Sequence, residues 1–299
     1  MIKRLKYREI DFEKYSQCIE NSVQRNWYAQ KEILDELCEN WELLIKNDYE
    51  AVMPIPIKKK WKQKFVIMPL FCQQLGVFSM TDDINTNDEF YNYLNSNYLV
   101  VNYAFNSNNK FTSPVNFRNN YLINSTDYPE QKKRYFKGRK STVKSAQNCI
   151  FKELEYSEDL RQFIDANNKG LSKESDKKKF FNYINFLENR NYLKLFGAFE
   201  NETLLSLAII ISEKDQLSLV ALVNNEKFLK KNGASFLIDQ ILQKHIASKN
   251  VNFMGGNIRN IEVFFKSFGA ENIQFQYLQS SYKKLIFKFI QKTFSFRNN

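Results

Sequence analysis

Histidine is almost missing: the 299 residues contain one, His245. The four cysteines, Cys18, Cys38, Cys72 and Cys149, lie far apart and form no Cys-x-x-Cys pair. These two shortages argue against a zinc site, which draws on closely spaced Cys and His. They also argue against a Ser-His-Asp or Cys-His machine, since any such site would have to use His245. Reduced thiols and a cytoplasmic location are the expectation. Glycine (8) and proline (5) are scarce, which excludes low-complexity linkers and favours regular structure. The longest apolar run, 65–72, has eight residues and includes Pro69, so it falls far below the ~20 that span a bilayer. The start of the chain is basic, but no apolar segment follows as it would in a signal peptide.

What is present is cation, aromatic and length. The net charge is +11, with 27 Phe and 16 Tyr. Such an excess points to an anionic partner: a CoA, a tRNA, a nucleotide or a membrane surface. The length suits two domains of roughly 150 residues each.

Hydrophobic periodicity predicts helices over 11–24 and 29–40, then a hairpin of strands 41–46 and 49–57. Pro54 and Pro56 put the end of that hairpin at an edge or a bulge. The segment 58–64 is a cationic loop around Trp61, either a phosphate or nucleic-acid contact or a solvated hairpin tip. A strand over 65–71, a helix over 87–96 and a strand over 99–105 follow. Between Gln131 and Phe151 there are seven cations and no acid. That segment reads as a basic linking helix at 128–150, carrying either a phosphate-rich ligand or a solvated face.

The second half repeats the order. A helix over 175–189, capped by Ser175, leads to a hairpin of 193–199 with 203–212 and a strand over 216–223. A glycine turn and helix, a strand at 251–254, a helix over 258–268 and strands over 273–279 and 282–289 complete it. The tail from 283 holds five cations among phenylalanines. It can touch a membrane surface, but its alternation favours a last strand.

Two local signals carry chemistry. Lys230-Lys231-Asn232-Gly233-Ala234-Ser235 opens the apolar run Phe236, Leu237, Ile238, Ile241, Leu242. A glycine turn feeding a helix N-terminus offers free N–H groups to a phosphate. About 30 residues on, Asn257 to Ala270 forms a short amphipathic helix stopped by Gly269. Phe264, Phe265 and Phe268 are expected in the core.

These segments resemble the GNAT superfamily of acyl-CoA N-acyltransferases. The first is similar to its Gln/Arg-x-x-Gly-x-Gly/Ala pyrophosphate motif, with Lys230, Gly233 and Ser235 at the matching positions. The second is similar to the family's later Asn-x-x-Ala…Phe-Tyr-x-x-x-Gly-Phe segment. Gln73 and Gly76 echo the first motif with no helix at once after them. The Phe-Gly-Ala close and the segment Arg139 to Ala146 are similar to Fem-type proteins, which carry two GNAT-like domains. The resemblance implies an α/β fold (an α+β mixed sheet) of two such domains: 1–127 with a degenerate donor site, the linking helix 128–150, and 151–299 with the donor site.

The resemblance further implies transfer of an acyl group from acyl-CoA, as co-substrate, to an amine acceptor, without a metal. The bulge-forming end of strand 216–223, at Leu222 and Val223, would meet the thioester carbonyl. Lys230, Lys231, Asn232, Gly233, Ala234 and Ser235 would hold the pyrophosphate, with Asn257 nearby. Glu213 and Glu226, near strand ends, are the candidate bases. Phe265 stands where the family commonly has a tyrosine general acid, and this departure leaves a non-catalytic GNAT-derived binding protein as one reading. Another is a Fem-type aminoacyltransferase that uses aminoacyl-tRNA through the basic segments 58–64 and 131–144.

Overall fold

The structure, a computed structural model, describes residues 1–60, 63–112 and 116–295. Trp61 of the expected cationic loop and Phe296 of the tail lie outside the described residues. Contacts divide the chain into two compact units, Met1–Arg118 with Gln274–Asn299, and Asn119–Ile273.

In the first unit, β1 (Ile2–Lys6) precedes α1 (Phe12–Asn21) and α2 (Lys31–Leu37). Then come β2 (Trp41–Lys46), β3 (Ala51–Lys60) and β4 (Gln63–Val66). Short β5 (Phe78–Ser79), α3 (Ile84–Asn97), β6 (Leu99–Val100) and β7 (Asn102–Ala104) follow. The sheet order is β1-β2-β3-β4-β6, with β5 beside β3. Strands β1 to β4 pair antiparallel, and β4 pairs β6 in parallel. A parallel pair needs a crossover, and α3 lies on it. Asp11 starts α1 by accepting from the Glu13 and Lys14 amides, and the helix turns Tyr15 and Ile19 inward.

Pro54 and Pro56 face Leu43 and Trp41 of β2. On its other side, β3 meets β5 at Ala51 and Val52 and β4 from Ile57 onward. The prolines thus occupy the gap between those pairings, where a missing N–H costs nothing. Tyr103 donates its hydroxyl to the Pro54 carbonyl there at 2.8 Å. The strand expected over 65–71 ends at Val66; Pro69 lacks a donor and Phe71 takes a φ of 67°. The strand expected over 99–105 is divided into β6 and β7.

The second unit takes in most of β8 (Asn116–Ile123), then α4 (Tyr128–Lys133), α5 (Lys137–Ser145), β9 (Ile150–Leu154), α6 (Glu158–Asn167) and α7 (Glu174–Asn189). Next come β10 (Leu193–Glu200), β11 (Thr203–Ser212) and β12 (Gln216–Asn224). A 3-10 turn, Glu226–Lys231, leads to α8 (Gly233–His245), β13 (Asn250–Asn252) and α9 (Arg259–Lys266). Strands β9 to β12 pair antiparallel in sequence, β12 pairs β13 in parallel, and β13 pairs β8 antiparallel. The core beneath this sheet is apolar: Phe196, Ala208, Leu237, Ile241, Leu242 and Phe268 are all buried. Finally, β14 (Glu271–Gln279) crosses back to the first unit, and α10 (Tyr282–Ser295) follows there.

The same plan therefore occurs twice: a strand, two helices, three antiparallel strands, a helix, then a strand parallel to the one before. The contact boundaries differ from 1–127, 128–150 and 151–299. Residues 128–150 form two helices and the first residues of β9, all inside the second unit, because β8 pairs with β13 ahead of them. The segment from Gln274 sits with the first unit because Tyr277, Leu278 and Gln279 pair with β7. The strand expected over 282–289 is instead helix α10. Its apolar residues at 285, 287 and 289 alternate as in a strand, but those at 285, 286, 289 and 290 fit a helical period. Helix α7 is entered from Lys173 rather than capped by Ser175. No described helix is long and apolar enough to cross a membrane.

One charged cluster ties the first sheet together. Glu42 on β2 is 2% exposed and accepts from Arg4 and Lys64 at 2.7 Å each and from Tyr98 at 3.1 Å. Burial alone would raise its carboxyl pKa; the Arg4 and Lys64 bonds outweigh that and hold it below the ordinary value. A depressed pKa contributes stability above the unfolded value and loses it as pH falls through the folded one. Glu42→Gln is therefore expected to cost about 1–2 kcal/mol at pH 7. That difference should shrink toward zero at a pH well into the acid range, below the ordinary glutamate value and the still lower folded one, where the wild-type carboxyl also protonates. Urea unfolding at the two pH values checks it.

Candidate functional site

The site grows from β12. Its pairing with β11 skips one residue, since Ile209 faces Ala221 and Ile210 faces Leu219. Val220 is thus a bulge. On its other edge β12 pairs β13 only through Gln216, Leu217 and Ser218. Past Ser218 the two parallel strands part, so β12 carries Val220, Leu222 and Asn224 onward without β13. Leu222 is half-buried and Val223 is buried. The bulge is two residues earlier than Leu222, so the strand twists just before the expected carbonyl contact.

The chain leaves β12 into the 3-10 turn and enters α8 through Asn232, whose φ is 60°. The left-handed conformation is tolerated by Asn. Asn232 gives no side-chain cap to α8; its Nδ2 instead donates to Ser145 Oγ at the end of α5, at 3.0 Å. The Ser235 and Phe236 amides bond back to the Asn232 carbonyl. The amides of Gly233 and Ala234 are the ones left to a ligand, at the positive end of the helix dipole.

Gly233 also has a packing role that the sequence did not show. A Cβ there would lie 2.8 Å from Leu205 Cβ and 3.0 Å from Ser206 Oγ on β11. The glycine is required by the strand beneath it. Ser235 is also occupied: it is buried, and its hydroxyl accepts from Arg139 Nη1.

Arg139 is the residue whose role in the sequence was hidden. It donates from Nε to Ser267 Oγ at 2.8 Å and lies 4.5 and 4.6 Å from the ring centres of Phe264 and Phe268. Burial pulls its pKa below the ordinary value. Its described partners are hydroxyls and rings rather than a carboxylate. The guanidinium thus brings a net positive charge to the first turn of α8. The only hint in the sequence was its place in an acid-free stretch.

The other expected site residues are placed as follows. Lys230 is exposed. Lys231 pairs with Glu200 at 2.9 Å. Asn257 accepts from the Asn119 amide at 2.9 Å and donates to the Asn119 carbonyl at 3.2 Å, so it clamps β8. Glu226 follows β12 and pairs with Lys169. Glu213 precedes β12 and accepts from Gln216 at 3.4 Å. A strand advances ~3.3 Å per residue, so the two glutamates are kept at opposite ends and only Glu226 is near the glycine turn. Phe265 is buried and stacks on Phe253 with centroids 4.4 Å apart.

The thiols are unsuited to nucleophilic work. Burial raises Cys18 to about 11 and Cys38 to about 12, and it raises Cys72 and Cys149 too. At neutral pH they stay protonated.

No family model matches the chain, and no curated protein matches it. Solved structures do. FemX superposes with a TM-score of 0.59 at 8% identity, covering 91% of this chain and 96% of that one. A tandem GNAT protein from the clavulanic acid biosynthesis pathway, solved without AcCoA, gives 0.53 at 8%, covering 93% and 97%. A conserved protein of unknown function from Bacteroides thetaiotaomicron VPI-5482 gives 0.53 at 10%, covering 93% and 98%. The chain has a tandem GNAT-like fold. Within that fold, α8 of the second unit and α3 of the first are counterparts, each lying on the crossover between two parallel strands.

The two helices begin differently. At α3 the Asp83 carboxylate accepts from the Thr86 amide at 2.8 Å and places negative charge at the N-terminus. At α8 no carboxylate stands there. Gly76, the echo of the glycine motif, lies in a loop with φ of 111°, and a Cβ would meet Asn109 Oδ1 at 2.2 Å. It is a packing glycine.

Gly233→Ala is expected to destabilise the ligand-free protein by about 1–3 kcal/mol through overpacking against Leu205. Urea unfolding reads this directly. Unchanged stability would return Gly233 to a role in ligand contact alone.

Proposed function

We propose that the chain is an acyltransferase whose second unit binds an acyl-CoA. The observation that carries this is the uncapped start of α8 at the point where β12 has parted from β13. A pyrophosphate there would meet the Gly233 and Ala234 amides, with the Arg139 charge behind them. The thioester would extend along the free edge of β12 toward the Val220 bulge, where main-chain N–H groups polarise its carbonyl. Holding the two reactants in line supplies much of the acceleration in such a reaction.

The acceptor reading is an amine. Helix α6 touches β12, and an open groove of about 640 Å³ between α6 and α7 is lined by Glu158, Asp165 and Glu174 together with Arg161, Lys177 and Lys178. Arg161 pairs with Glu158, and Lys177 with Asp165 and Glu174, so the groove is balanced in charge and the amine reading rests on the GNAT-like fold. Glu226 is the nearer of the two candidate bases. The likeness to FemX, with exposed Lys58, Lys59 and Lys60 on β3, supports aminoacyl-tRNA as the alternative donor.

Thermal unfolding with acetyl-CoA, longer acyl-CoAs, and charged and uncharged tRNA tests the donor. Binding at a hundredfold excess over Kd stabilises by about 2.7 kcal/mol, or roughly 5–10 °C here. Asn232→Asp places a negative charge at the helix position that Asp83 holds on α3. It should keep the ligand-free melting temperature and remove most of the acyl-CoA shift through like-charge repulsion. A shift with tRNA alone, fading with salt, would replace the CoA reading with the aminoacyl one. No shift with any donor would sink both.

A further inference from the structure

The segment from Asn272 to Asn299 holds five cations and no acid. Part of it forms α10, Tyr282–Ser295, rather than a sheet strand. One face of this helix is held. Lys288 donates from Nζ to the carbonyl and, at 2.8 Å, to the Oδ1 of Asn95 near the end of α3. Leu285, three residues before it, is half-buried, and the helix packs against β6. Several apolar side chains of the helix reach solvent. Ile286 is 59% exposed, Phe287 62%, Phe289 39% and Ile290 45%.

Residues 286, 289 and 290 share a face by helical spacing, with exposed Lys283 one turn earlier and Phe287 at the border. Ile286, Phe287 and Ile290, three large apolar side chains within five residues, form a patch that water disfavours. The charge of the segment selects what covers it. A second copy of the same helix would bring cations against cations with no acid to offset them. A nucleic acid would satisfy the lysines and leave Ile286, Phe287 and Ile290 wet. An anionic lipid surface satisfies both, taking the apolar side chains below the headgroups and the cations at them. A helix of 14 residues is ~21 Å long, enough to lie in that interface and too short to cross it.

We propose that α10 docks the protein on an anionic membrane surface through its Ile286, Phe287 and Ile290 face. Lys288 and Leu285 keep the helix seated on the first unit while the opposite face enters the lipid.

The test is co-sedimentation of the full chain with two kinds of vesicle: phosphatidylcholine alone, and phosphatidylcholine mixed with phosphatidylglycerol. The expected result is binding to the anionic vesicles, weakened by salt. Ile286→Ser with Phe287→Ser and Ile290→Ser should weaken it at least about tenfold. The same triple variant should keep the wild-type thermal unfolding, since the changed side chains are exposed. Three results would overturn the proposal. One is no binding to either vesicle, or binding that the triple variant retains. Another is a concentration-dependent dimer, measured by light scattering without lipid, that the variant abolishes. The last is tRNA binding lost in the variant while vesicle binding persists.

Discussion

The second unit depends on how closely α8 can approach β11. Gly233 sets that distance, because the space a Cβ would need is already filled by Leu205 and Ser206. With the helix start pressed onto the strand, Leu237, Ile241 and Leu242 reach the core beside Ala208 and Ile210. The same approach puts the first turn of α8 at the end of β12, past the point where β13 has left. The position of the helix dipole beside that opening is thus a consequence of one steric requirement.

Arg139 is the polar counterpart of that packing. A half-buried guanidinium with no described carboxylate is costly unless its donors and its ring faces are used. Ser235, Ser267, Phe264 and Phe268 supply both. The arrangement joins α5, α8 and α9 and leaves the charge uncompensated inside the protein. In the first unit, the corresponding helix start carries Asp83 and has the opposite sign. Two units with one plan have therefore diverged in electrostatics at the same place in the fold, and a single N-terminal residue makes much of the difference.

Most elements of that plan were legible in the sequence, because hairpins and amphipathic helices declare themselves over neighbouring residues. The strands 203–212 and 216–223, the glycine turn and the helix after it were readable in this way. Features made by distant residues were not. Asn257 matched a motif position, but its amide clamps Asn119. Arg139 was one cation among seven, and nothing local marked it as the one turned inward. Glu213 and Glu226 both sit beside the same strand; only the strand's direction separates them. The tail was misread for a different reason. Residues 284–289 alternate, yet their apolar positions continue at helical spacing, and the absence of a free sheet partner is not a local property.

Phe265 bears on what chemistry this site can support. The ring stacks on Phe253 and is buried, so even a tyrosine there would place its hydroxyl by the local packing rather than at an open surface. Were the donor a thioester, the lack of a general acid would matter less than for most acyl donors. A free thiol has a pKa of ~8.5, so a departing thiolate is a tolerable leaving group near neutrality without a proton delivered to it. The attacking amine is the harder half, since an ammonium with a pKa near 10 must first give up its proton. A site of this kind can dispense with an acid while still needing a route for that proton. Of the two glutamates beside β12, Glu226 is the one on the side of the glycine turn, and it is paired with Lys169.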